Sequence, residues 1–145
     1  MGTLSQIDAD TLLEMEKFCK ENQLYFIQGG NDRYAIPLFS EDGHEEFYLD
    51  IYRGRIDFLR GKYQTRVRQS EVLVRLDFNG SPHRNPDGQE IPCPHIHLYR
   101  EGFGDKWAFP IPDSFSNMTN LATTLDEFMT YCNVVDPPNF QHGAF

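Results

Sequence analysis

The sequence contains no run of eighteen apolar residues and no basic start followed by an apolar segment. The expectation is a soluble, cytoplasmic protein with no membrane partner. Cysteine is scarce: Cys19, Cys93 and Cys132 are odd in number and far apart, which excludes a disulfide framework and suits a reducing compartment. A Walker loop, a Gly-x-Gly-x-x-Gly turn, a nucleophile elbow and a paired Cys-x-x-Cys are all missing. Basic residues are also few. Thirteen Lys and Arg against 22 Asp and Glu give a net charge of -9, which excludes a surface wholly given to nucleic acid, because that binding needs clustered cations.

What is present suffices for one folded domain. Hydrophobic residues make up 39% of the 145 and aromatics 14%, enough for a core and too much for a disordered chain. The charge is uneven. From Arg53 to Arg75, seven basic residues face two acids, a strip of +5 that leaves -14 on the remainder. Such a strip is either ligand-facing or simply the wet face of a sheet.

Leu12, Met15 and Cys19 recur at helical spacing and predict a helix over Asp8 to Glu21, capped by Ser5 or Asp8. Leu24 to Ile27 and Arg33 to Leu38 flank Gly29-Gly30-Asn31-Asp32 and read as a hairpin, with Pro37 pushing the second strand to an edge. Phe47, Leu49 and Ile51 alternate with Tyr48, Asp50 and Tyr52. Gly54 turns the chain into a strand over Ile56 to Val67, and another places Val72, Val74, Leu76 and Phe78 opposite Leu73, Arg75 and Asp77. Ile96 and Leu98 continue the apolar face, while His95, His97 and Tyr99 share the other. Leu121, Leu125, Phe128 and Cys132 mark a second helix, capped by Asn117 or Ser116. The expected class is α+β: a single antiparallel meander packed by an N-terminal and a C-terminal helix, spanning 1–145 with a short arm from Pro137 to Phe145.

The chemistry concentrates between His83 and His97. Two histidines two apart on a strand lie roughly 6.5 to 7 Å apart at Cα, close enough to share one metal ion. Cys93 extends the same face if Pro94 keeps the chain straight, and the Arg84 to Pro92 loop can return His83 to the strand. Asp77 is a ligand or fixes an imidazole tautomer. His83, Cys93, His95 and His97 together would saturate zinc and make the site structural. With Cys93 turned away, three histidines leave room for water, with Asp77 or Glu90 as base and Arg75 or Arg100 holding phosphate. A metal-free alternative uses His83 and His97 as acid and base around an RNA 2'-hydroxyl, with Arg75 stabilising the phosphorane. The bland reading is a rigid loop built by Pro82, Pro92, Pro94 and Asn85-Pro86-Asp87-Gly88. His44 and His142 lie in loop and tail contexts, and Trp107 reads as core.

The run Leu76-Asp77, Pro82-His83, Asn85-Pro86-Asp87-Gly88, Pro94-His95-Ile96-His97, Tyr99-Arg100-Glu101 and Asp105-Lys106-Trp107 resembles an uncharacterised family of small proteins from Gram-positive bacteria and their phages. More distantly, Arg75-x-Asp77, Pro82-His83 and Pro94-His95-x-His97 resemble the TumE-like toxins, ribonucleases countered by an antitoxin. That resemblance implies a ribonuclease site near Arg75, Asp77, His83, His95 and His97. Cys93 departs from the pattern.

Two functions follow. One is an acidic zinc-binding protein that acts by contact, blocking a host nucleic-acid-handling enzyme with a basic groove, as phage-encoded anti-CRISPR inhibitors do. The other is a ribonuclease of toxin type, with RNA and a cognate antitoxin as partners.

Overall fold

A computed structural model describes residues 3–27, 32–54 and 61–143. Along the chain run α1 (Gln6–Glu14), β1 (Lys17–Phe18), β2 (Leu24–Ile27), β3 (Arg33–Phe39), β4 (Glu46–Arg53), β5 (Gly61–Val67) and β6 (Glu71–Asp77). Then come β7 (His83–Arg84), β8 (Glu90–Ile91), β9 (His95–Leu98), β10 (Ala108–Pro110), α2 (Leu121–Tyr131), β11 (Val134–Asp136) and β12 (Asn139–His142).

The main sheet has eight strands in the order β10-β9-β6-β5-β4-β3-β1-β11, antiparallel except where β1 meets β11. The class is α+β, as the hydrophobic periods predict. The single meander flanked by terminal helices is not what forms. Only β3 to β6 run as a meander, two small two-stranded sheets stand apart, and β11 and β12 follow α2. The tail expected as an arm carries β12, which pairs in parallel with β2. Among the described residues β2 pairs with β12 and not with β3, so the expected hairpin is absent; most of its turn lies outside those residues. Pro37 sits in an internal strand, but β3 meets β1 only at Phe39 and Phe18, so a missing donor at Pro37 costs no ladder bond there.

The first helix stops at Glu14, not Glu21. Ser5 caps it, accepting from the Asp8 amide at 3.1 Å. Beyond it the Lys17 amide donates to the Asn133 carbonyl and the Cys19 amide to that of Asp136, so pairing with β11 overrides helical spacing. Lys17 is fully buried. Its ammonium donates to the carbonyls of Leu13, Met15 and Cys132, joining the C-terminal ends of both helices through one cation. The second helix is capped by Asn120, one turn later than expected.

Phe47, Leu49 and Ile51 of β4, Tyr63 and Val67 of β5 and Leu76 of β6 are buried with Leu125 and Phe128 of α2. Each such side chain contributes roughly 1.5 to 3 kcal/mol on burial. Where β5 meets β6 the register slips: Thr65 pairs with Val74 but Arg66 with Val72, leaving Leu73 extra. Leu73 and Val74 therefore both bury, whereas simple alternation predicted Leu73 on the polar face. Past this bulge Arg75 and Asp77 turn to the face opposite the core.

Candidate metal centre

Strand pairing alone assembles the centre. Asp77 lies opposite His95, and Arg75 opposite His97, in the β6–β9 ladder, so all four side chains project from one face. His95 and His97 are buried, at 2% and 0% exposure, while Asp77 and Arg75 are half-buried.

One Asp77 oxygen, Oδ2, is 3.1 Å from His95 Nε2 and 3.3 Å from His97 Nε2. The opposite ring nitrogens face carbonyls: His97 Nδ1 is 2.8 Å from the Asp105 oxygen, and His95 Nδ1 is 3.3 Å from that of Pro92. A carbonyl only accepts, so each Nδ1 carries the proton, and in a neutral ring each Nε2 is a lone pair. Burial raises the Asp77 pKa, but hydrogen bonding from the His97 ring in its protonated form and the Arg75 charge outweigh it and bring it down to about 2. Two nitrogen lone pairs and a carboxylate thus converge, and unless a cation or an extra proton sits among them they repel.

This donor set fits a divalent transition metal. The ligand atoms lie within 4.8 Å of one another. Metal–ligand bonds of about 2.0 to 2.2 Å put neighbouring ligand atoms roughly 3 to 3.5 Å apart, which the two carboxylate–imidazole distances match. Two histidines and one carboxylate leave coordination positions open, and imidazoles that donate Nδ1–H to carbonyls are held as metal ligands usually are.

Arg75 supplies the positive charge in this arrangement. Its Nη2 is 3.0 Å from His97 Nε2, its Nε donates to Asp77 Oδ1 at 3.1 Å, and its Nη1 donates to Asp105 Oδ2 at 2.8 Å. The Asp105 backbone and side chain thus hold His97 and Arg75 together. Asp105 carried no signal in the sequence beyond its place in an irregular loop; the turn from Arg100 to Gly104, with Gly104 at φ 64°, delivers it.

His83 joins from a separate hairpin, β7–β8. Its ring centroid is 4.6 Å from that of His97 and 6.0 Å from that of His95, and its Nε2 donates to the Lys106 carbonyl at 2.7 Å. The hairpin is anchored by buried Asn85, whose amide exchanges two hydrogen bonds with the backbone of Ala108 in β10, at 2.8 and 3.0 Å. Gly88 closes the turn at φ 91°; the sequence predicts a rigid wide loop over Asn85-Pro86-Asp87-Gly88 and foretells neither this tight hairpin nor the Asn85 clamp.

Cys93 is placed differently. It precedes β9, so strand alternation does not govern it, and its thiol donates to the Asp77 carbonyl at 3.5 Å. It is outside the convergent ligand group, as is His83. Glu90 pairs with Arg84, and Arg100 stacks on Trp107, so neither reaches the centre. His44 lies beside Asp42 at the surface, and His142 is in β12. Trp107, expected in the core, is only half-buried. Beside the centre a depression of about 300 Å³ is lined by Tyr52, Lys62, Arg75, Asp77, Ser81 and Cys93.

Fold and site define an α+β protein with two buried histidines and a half-buried aspartate able to hold a metal ion. Residues 4–134 match the model of a family of unknown function, DUF6978, and the chain belongs to that family. No curated protein and no solved structure matches it. Among the described residues no helix is long and apolar enough to cross a membrane.

Proposed function

We propose that the protein is a metal-dependent ribonuclease whose ion, zinc by preference, is held by Asp77, His95 and His97. One observation carries this reading: both Nδ1 atoms are committed to carbonyls, so both Nε2 atoms face an ionised carboxylate. A bound ion would supply Lewis acidity toward a phosphoryl oxygen and a more acidic water. The open depression offers Lys62 to a phosphate, Arg75 being held by Asp77, Asp105 and His97. His83 spends its Nε2 proton on Lys106, which leaves Nδ1 as a base at the edge of the group. His97 serves poorly as half of a metal-free acid–base pair, because both its nitrogens are engaged and its ring is fully buried. A cytoplasmic location and a neutralising antitoxin belong to this reading.

Purified protein incubated with single-stranded RNA tests it. Cleavage with Zn²⁺, Mn²⁺ or Mg²⁺ that stops in chelator and in His97→Ala is expected. Intact RNA under every metal contradicts it.

A second reading keeps the ion and moves the function to the surface: a zinc-stiffened acidic inhibitor of a nucleic-acid-handling enzyme, of the kind phages encode. The complete burial of His97 behind Arg75 favours it. There His97→Ala lowers stability and changes partner binding only through that loss.

A further inference from the structure

The ladders extend the polar face beyond the metal centre. Arg33, Tyr52, Lys62, Asp77 and His95 are successive cross-strand partners on β3, β4, β5, β6 and β9, one row across the sheet. Three steps of about 4.8 Å put Tyr52 roughly 14 Å from His95. Two depressions follow the row. The one beside the centre, about 300 Å³, and a second of about 510 Å³ reaching Arg33, Asp50 and Gln64 share Tyr52 and Lys62, so they meet there.

The side chains along this row have the chemistry of a strand-binding surface. The guanidinium of Arg33 stacks on the Tyr52 ring at 4.4 Å, and four residues away along β4 that of Arg66 stacks on Tyr48 at 4.4 Å. Arg66 is neutralised by Asp50, its Nε 2.6 Å from the carboxylate. Arg33 and Lys62 are exposed and form no ion pair among the described residues. On a chain of net -9, two exposed cations flanking an aromatic ring mark where a polyanion can lie.

We infer that this row is a platform for single-stranded RNA, with a base stacked on the Arg33–Tyr52 pair, a phosphate on Lys62 and the strand running toward Asp77 and His95. The inference rests on the ribonuclease reading and supplies its substrate class. Aromatic faces and guanidinium planes hold unstacked bases, which a duplex does not present, and an acidic peptide would gain the charges without the stacking.

Fluorescence anisotropy of a labelled oligouridylate in chelator tests the platform without turnover. Tyr52→Ala should weaken binding roughly tenfold while Tyr52→Phe, which keeps the ring, should not. Lys62→Ala, an exposed change that leaves the fold intact, should weaken binding and reduce the salt slope by about one. A duplex of the same length should bind less tightly. Binding unaffected by Tyr52→Ala, or polyglutamate competing as well as the oligonucleotide, overturns the platform. Failure of the two ideas is separable: RNA bound through Tyr52 and Lys62 but never cut leaves the platform standing without the activity, whereas cutting indifferent to both residues does the reverse.

Discussion

Arg75 Nη2 lies 3.0 Å from His97 Nε2, so a guanidinium rests against a nitrogen that would otherwise bind metal. The same guanidinium is anchored to Asp105, away from the histidines, by a 2.8 Å charge-assisted bond. Arg75 thereby acts as the counter-ion of an ion-free centre, and as an obstacle to a second cation.

Arg75→Met should destabilise the protein in chelator by roughly 1 to 3 kcal/mol, since Asp77 loses its charged partner. Added Zn²⁺ should restore much of that loss, and the variant should bind the ion more tightly than the native protein does. Thermal melts with and without metal check both.

Asp77 gives a pH signature. Its folded pKa is depressed, from 3.8 to about 2, so the stability it contributes is present above its unfolded value and is lost as pH falls through about 2. The shift corresponds to about 2 kcal/mol. In metal-free urea titrations the advantage of native protein over Asp77→Asn should hold above pH 4 and shrink between about 4 and 2.

Much of this centre was legible in the sequence because strand alternation is rigid. Two residues apart on β9 means one face, and Asp77 and Arg75 follow by the same rule on β6. Cys93 was not legible in this way, since it lies before the strand and alternation stops at His95. The fold was read where the period was local, as in β4 and α2. It was misread where distant pairing decided: β1 takes residues from the expected first helix because β11 is there to pair with them, and β2 joins β12 across more than a hundred residues. The Leu73 bulge escaped because one inserted residue leaves both neighbours apolar.

Lys17 is the buried cation the helical reading concealed. Desolvation lowers its pKa to about 8, against a smaller opposing effect from Cys132. The unfolded chain keeps that proton to about 10.5, so between pH 8 and 10.5 it binds more protons and stability rises with pH. Native protein should therefore gain stability relative to Lys17→Met across that window, by up to about 3 kcal/mol. At pH 7 the variant, which orphans three carbonyls, should be less stable by about 2 to 4 kcal/mol. Urea unfolding at the two pH values measures both.

Asn85 touches no metal ligand, yet Asn85→Ala removes both bonds to Ala108 and the anchor of the His83 hairpin. A loss of about 1 to 3 kcal/mol is expected. Hydrogen exchange at the Ala108 amide should accelerate well before that of the central strands, and any RNA cleavage should fall while metal stoichiometry at Asp77, His95 and His97 is retained.

The central claim is that Asp77, His95 and His97 form one divalent-metal site. Equilibrium dialysis against Zn²⁺ followed by elemental analysis tests it directly, on native protein and on folded His95→Ala and His97→Ala variants. One ion per chain, lost in both variants, is the predicted result; no bound ion, or the same ion content in all three proteins, contradicts it.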